Sequence, residues 1–130
     1  MFLDTSAIIA YQQGDERVVE YLDGGRPWYT STICAFEYIN GRLGSGETDV
    51  LAVRQEFSDV QTLDLNEPIA VEAARLQDEI MTDGDRLATA DMLIAATART
   101  TGNELVVADS DSETGVLQNV MQVTNFRDPL

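Results

Sequence analysis

The sequence contains no histidine and no lysine, and among its 130 residues there is one cysteine, one tryptophan and three prolines. Without histidine, the usual base for a serine or cysteine nucleophile is missing. Zinc sites built on histidine or on cysteine clusters are excluded for the same reason. Cys34 has no partner for an internal disulfide, and a lone thiol in an apolar stretch reads as a small core residue. No window approaches 18 uncharged apolar residues, and the start, Met-Phe-Leu-Asp, has no basic region leading into an apolar stretch. The expectation is a soluble, intracellular, cytoplasmic protein, neither secreted nor membrane-spanning.

Positive charge is also scarce. Eight arginines face 23 acidic residues, for a formal net charge of -15. A nucleic-acid-binding surface normally carries a basic footprint, because phosphate neutralisation dominates affinity. On that rule alone a nucleic-acid partner is disfavoured. The competing explanation is a high-salt cytoplasm. At ~1 M salt the Debye length is roughly 3 Å, and surface repulsion is largely screened. An acidic, lysine-free chain matches proteins of halophilic organisms, so the charge is weak evidence about function.

What remains is ample for folding. Hydrophobic residues make up 44% of the chain, and a domain near this size buries roughly two-thirds of its unfolded surface. One domain spanning 1–130 is expected, without repeats or low-complexity linkers. Short apolar runs alternate with longer helical stretches, which predicts an α/β fold with a short, mainly parallel sheet. Phe2-Leu3 opens a first strand, followed by helices over 6–12 and 15–22. Trp28-Tyr29-Thr30 reads as a second strand, and Ser31 or Thr32 caps a helix running to about Leu43. A helix over 48–57 precedes a strand over 60–65. Asn66 caps the next helix, with Pro68 in its first turn and Ile69, Ala73, Leu76 and Ile80 on one face. Thr89 reads as the cap of a helix over 90–100 closed by Gly102. Leu105-Val106-Val107-Ala108 is the clearest buried strand. A short helix near Gly115-Val116-Leu117 and a last strand over 121–123 follow.

Four acids fall in matching places. Asp4 and Asp109 each end a strand, and in open parallel sheets ligands bind at the carboxyl ends of strands. Glu37 shares a helical stripe with Ile33, Phe36 and Asn40, which places it on the face expected to meet the core. Asp91 lies in the first turn of its helix, on one face with Ile94, Ala95 and Ala98, where the helix dipole favours negative charge. All four are expected at one rim. Asp111 is the alternative to Asp109 within the acidic run 109–113. Each acid by itself has a plain reading as a cap, turn or solvated residue; the four together do not. A buried carboxylate is costly unless paired or metal-bound. Lysine is absent and the arginines are few, so converging carboxylates call for Mg²⁺ or Mn²⁺, which prefer oxygen ligands and keep several waters. Such an ion polarises a phosphoryl oxygen and activates water, the parts that phosphodiester hydrolysis needs.

The opening Phe2-Leu3-Asp4-Thr5-Ser6-Ala7-Ile8-Ile9-Ala10 resembles the start of PIN-domain nucleases, especially the VapC toxins. Asp91-Met92-Leu93-Ile94-Ala95-Ala96-Thr97-Ala98 is similar to their third motif, Glu37 falls where they place a helical Glu, and Leu105-Val106-Val107 leading to Asp109 resembles their fourth. Order and spacing match over nearly the whole chain. Val107 stands where the fourth motif usually has Thr, and no aromatic follows Asp109. The resemblance implies a three-layer α/β/α PIN-like fold and a Mg²⁺- or Mn²⁺-dependent endoribonuclease. It also implies that the chain is the toxin of a type II toxin-antitoxin pair, usually a homodimer held inactive by a cognate antitoxin. It further implies Asp4, Asp91 and Asp109 as metal ligands, with Glu37 as a fourth catalytic acid that places metal or activates water. Thr5 and Ser6 would be the hydroxyls orienting Asp4 from behind. Two other readings differ in class. One is a non-catalytic binding module of the same fold. The other is a receiver-type domain phosphorylated on a strand-end Asp, which the missing lysine disfavours.

Overall fold

The computed structural model describes residues 1–109 and 112–127, with the side chains of 112–114 left aside. The elements are β1 (Phe2–Leu3), α1 (Thr5–Gln12), α2 (Glu16–Asp23), β2 (Trp28–Ser31), α3 (Thr32–Asn40), α4 (Val50–Gln55), β3 (Val60–Leu63), α5 (Glu67–Met81), α6 (Thr89–Thr100), β4 (Leu105–Val107), a 3₁₀ helix (Ser112–Asn119) and β5 (Val123–Asn125). The strands form one sheet in the order β3-β2-β1-β4-β5. Every pairing is parallel, with Phe2 opposite Tyr29 on one side and opposite Leu105 on the other.

Alternation along the short central strands makes the layers. Phe2, Leu105 and Val107 point into one core with Ile69, Leu76, Ile80, Met92 and Ile94 of α5 and α6. Leu3 and Val106 point into the other, with Ala7, Ile8, Val18 and Leu22 of α1 and α2 and with Val53, Phe57 and Trp28. Successive strand residues face opposite sides, so even a two-residue strand serves both cores. The three-layer α/β expectation holds. Parallel strands buried on both faces read as continuous apolar runs, which is why Leu105-Val106-Val107 was the plainest strand in the sequence.

Local signals act mostly where expected. Asn66 caps α5 by accepting the Ile69 N–H at 3.0 Å, and Ser31 caps α3 by accepting the Ile33 N–H at 3.0 Å. Gly102, at φ 71°, ends α6 in the left-handed region that glycine tolerates. Four expectations shift. Thr89 does not cap α6; it is the first helical residue, after Ala88, which makes no side-chain cap. The helix expected over 48–57 is the shorter α4, capped by Asp49. The last strand lies at Val123–Asn125 rather than 121–123, fixed by its register against Leu105–Val107. The α3 helix stops at Asn40, and its buried stripe is Cys34 and Tyr38 instead of Ile33, Phe36 and Glu37.

The last difference has a physical cause. Ser31 is both the final residue of β2 and the cap of α3. With no loop between them, α3 leaves over the carboxyl edge of the sheet. There Cys34 reaches the core under α5 and α6, while Tyr38 reaches the core under α1 and α4. The buried stripe is displaced by one residue, about 100° around a helix. Phe36 is left 62% exposed.

Leu76 is fully buried in the α5 stripe. Leu76→Ala is expected to lower unfolding free energy by about 2–5 kcal/mol, measured by urea denaturation, with the fold retained by circular dichroism.

Candidate functional site

The sheet order sets the place. The chain runs outward from β1 to β2 and β3, then returns to the far side of β1 for β4 and β5. The direction of winding therefore reverses between β1 and β4, and the crevice at the carboxyl ends of that pair is where open α/β sheets bind ligands. Asp4 follows β1, and Asp109 comes two residues after β4. Two of the four acids expected at one rim, Asp4 and Asp109, thus flank the switch point.

Asp4 serves two local purposes at once. It caps α1, its Oδ2 accepting the Ser6 N–H at 3.1 Å and the Ser6 hydroxyl at 2.6 Å. Burial is the largest influence on its carboxyl and pushes the pKa up; the Ser6 bonds pull it down, and the charge of Asp109 raises it again. The charge of Asp109 acts on Asp4, so the two acids lie near each other. No cationic group is among the main influences on Asp4.

Glu37 is exposed on α3, not on the core-facing stripe. Its Oε1 accepts the Thr5 hydroxyl at 2.8 Å. Thr5 therefore divides its groups: its backbone N–H supports the Asp4 carboxylate, while its hydroxyl holds Glu37. The family resemblance implied both Thr5 and Ser6 as partners of Asp4; the Thr5 hydroxyl bonds Glu37. Beneath these groups lies Cys34. Burial is the main cause that pushes its thiol up to about 11, and the charges of Asp4 and then Glu37 add to it. That thiol is inert at neutral pH, and its surroundings show that Asp4 and Glu37 share one neighbourhood.

Asp91 is half-buried in the first turn of α6. Because α6 feeds β4 through residues 101–104, its C-terminus lies at the amino end of the strands. Its first turn, with Asp91, comes at the carboxyl end. Ile94, Ala95 and Ala98 are buried as its stripe required. Asp109 is exposed, and its backbone carbonyl accepts from the Asn125 side chain at 3.0 Å. Asp111, the alternative fourth acid, lies outside the described residues.

Among the described residues, no three acids or thiols converge tightly enough to enclose a metal ion. The donor set is two neighbouring acids, Asp4 and Asp109, with Glu37 held nearby by Thr5 and Asp91 at the same edge of the sheet. That set fits Mg²⁺ or Mn²⁺, which bind through one or two carboxylates and retain water.

Sequence reading missed a groove of about 360 Å³ beside the acids, lined by Ile9, Gln12, Gln13, Glu37, Tyr38, Gly41, Arg42 and Glu56. Of these, Arg42 makes two bonds to Glu56, at 2.6 and 2.8 Å. The groove joins α1 and α3 with the segment after α4, so no local pattern could have announced it.

The PIN domain family model matches residues 1–114. The chain belongs to the PIN domain family. At the family level this makes it a nuclease domain of the VapC type, as its motifs implied. Among solved structures, FitAcB from Neisseria gonorrhoeae is similar at 29% identity and a TM-score of 0.74, covering 95% of this chain and 96% of that one. VapBC-5 from Mycobacterium tuberculosis, a member of the VapBC family of toxin-antitoxin systems, is similar at 25% identity and a TM-score of 0.69, covering 98% and 97%. DNA-bound VapBC from Salmonella typhimurium, at 21% identity and a TM-score of 0.76 over 95% and 96%, shares the fold. No curated protein matches the chain in sequence.

Two measurements follow for this PIN domain. Asp4 holds its proton more tightly folded than unfolded, so its contribution to stability is fullest below the ordinary Asp pKa and declines as pH rises through the raised folded value. Asp4→Asn, which keeps a capping side chain, is therefore expected to raise the melting temperature of metal-free protein at pH 7. The gain should vanish near pH 3; an equal gain at both values would contradict the assignment. Cys34 should stay unmodified by a thiol reagent at pH 8 until denaturant is added, followed by absorbance.

Proposed function

We propose that the chain is a Mg²⁺- or Mn²⁺-dependent endoribonuclease acting as the toxin of a type II toxin-antitoxin pair. The observation that carries the reading is the placing of Asp4 and Asp109, near enough for one charge to act on the other, after the two strands that flank the switch point. Two carboxylates held that way repel each other unless a cation lies between them. Asp4, Asp91 and Asp109 would hold the metal. A bound divalent cation supplies charge neutralisation for the phosphodiester and acidifies the attacking water.

The chain's own residues do the rest. Ser6 fixes the orientation of Asp4. Thr5 holds Glu37 at the edge of the rim, where its carboxylate suits a proton acceptor for the attacking water. Five of the eight arginines are engaged elsewhere. Arg99 binds Glu79 and Glu72, Arg26 pairs with Asp59, Arg127 with Asp15 and Arg42 with Glu56. Arg54 binds the backbone carbonyls of Phe57 and Val60. Inhibition by an antitoxin would then depend on a cationic side chain, an arginine, brought by the partner to the acids. The groove beside Glu37, with Ile9 on its wall, offers that partner a seat. The similarity to VapBC complexes supports such a partner, and the family resemblance supports a homodimer.

Asp4→Asn and Asp91→Asn are each expected to reduce Mg²⁺-dependent RNA cleavage by about 100-fold or more, measured with a fluorescent RNA panel. Full activity in both variants would sink the nuclease reading. Calorimetric titration with Mn²⁺ separates it from a non-catalytic binding module of the same fold, which should not bind the ion through these acids.

A further inference from the structure

The segment 82–88 joins α5 to α6. Its Asp83 and Asp85 amides each donate to the Ile80 carbonyl at 3.1 Å, and Gly84 donates to Met81 at 3.0 Å, all within the last turn of α5. These bonds do not reach α6, whose cap position, Ala88, makes no side-chain hydrogen bond. Leu87 attaches the segment further back on α5. Its side chain is buried in the core, and both of its backbone polar groups go to one residue. The Leu87 N–H donates to Gln77 Oε1 at 3.2 Å, and Gln77 Nε2 donates to the Leu87 carbonyl at 3.0 Å.

A primary amide carries a donor and an acceptor side by side. Gln77 therefore takes the N–H and the C=O of a single residue, as the opposite residue of an antiparallel ladder would. It projects from a helix anchored in the core by Ala73, Leu76 and Ile80, so the clamp ties Leu87 to a rigid element. Asp91 follows four residues later, in the first turn of α6. Helix ends fray, and this end has no side-chain cap to hold it. We infer that Gln77 is a positioning residue for Asp91: by clamping Leu87 it fixes where α6 starts, and with it where the Asp91 carboxylate stands. The far end of α6 is held separately, by the bonds of Arg99 to Glu72 and Glu79. Loss of the clamp would thus free the first turn without unseating the helix. Methionine at position 77 has no amide, and glutamate at neutral pH accepts only. The inference rests on the proposed reading of Asp91 as a metal ligand.

The test compares wild type, Gln77→Met and Gln77→Glu with Leu76→Ala, a cavity variant on the same helix that leaves the clamp in place. In metal-free protein, hydrogen exchange at the Leu87 amide is expected to speed up about tenfold in Q77M. In calorimetry with Mn²⁺ alone at pH 7, Q77M is expected to bind about tenfold more weakly, whereas L76A binds as wild type does. Q77E loses the donor to the Leu87 carbonyl, is expected to weaken Mn²⁺ binding as well, and decides the matter if Q77M does not fold. Wild-type affinity in the folded Gln77 variants, or an equal loss in L76A, overturns the inference alone. A wild-type protein that binds no Mn²⁺ overturns the metal reading and this inference with it, while the exchange measurement still reports whether the clamp exists.

Discussion

The parallel pairing of β1 with β4 is the constraint on which the rim depends. β1 has only two residues, Phe2 and Leu3, yet it lies at the centre of the sheet and is bonded on both sides. Its two side chains enter opposite cores and both are essentially inaccessible to solvent. Such a strand is too short to be fixed by its own hydrogen bonds. Its position comes from the burial of Phe2 and Leu3 and from the capped helix that starts at the next residue. The chain must turn into α1 immediately, and that turn places Asp4, Thr5 and Ser6 at the carboxyl edge. One tripeptide thereby supplies an acid, the hydroxyl that holds Glu37 and the hydroxyl that reaches Ala108.

Charge organises the molecule in a second way. With eight arginines against 23 acids, cations are placed where they join elements. Arg99 links α6 to Glu72 and Glu79 of α5 and holds Glu79 below its usual range. Arg26 lies over the Trp28 ring, 3.8 Å from its centroid, while pairing with Asp59. The Arg26–Asp59 pair is exposed, where such a pair contributes little by itself. The effect of the ion pairs is distribution: Asp15, Asp59, Glu72 and Glu79 have arginine partners, whereas Asp4 lies near another acid.

The structure also explains which sequence signals were reliable. The α5 stripe of Ile69, Ala73, Leu76 and Ile80 was legible because a long amphipathic helix lies flat on one sheet face and only one register buries its apolar side. The α3 stripe was misread because that helix crosses the edge of the sheet. Its neighbours come from both layers, and they bury Cys34 and Tyr38 while leaving Phe36 to solvent. Glu37 consequently reaches the rim from an exposed side of its helix, by a different route from the one its spacing suggested. The last strand was misplaced for a similar reason: its position is a property of pairing with β4, and nothing in 121–125 distinguishes one register from the next.

By itself the sequence determined the α/β class, the order of the elements and the identity of the acids at strand ends and helix starts, because these depend on local periodicity and on neighbours within a few residues. The family motifs were likewise legible in order and spacing. Tertiary structure alone decided that winding reverses between β1 and β4, that Asp109 comes near Asp4, and that Thr5 holds Glu37. It alone decided that the Ser6 hydroxyl accepts the Ala108 N–H, and that a groove forms between α1 and α3. Each of these joins residues far apart in the chain, and the geometry between them is set by which side chains the two cores can bury together.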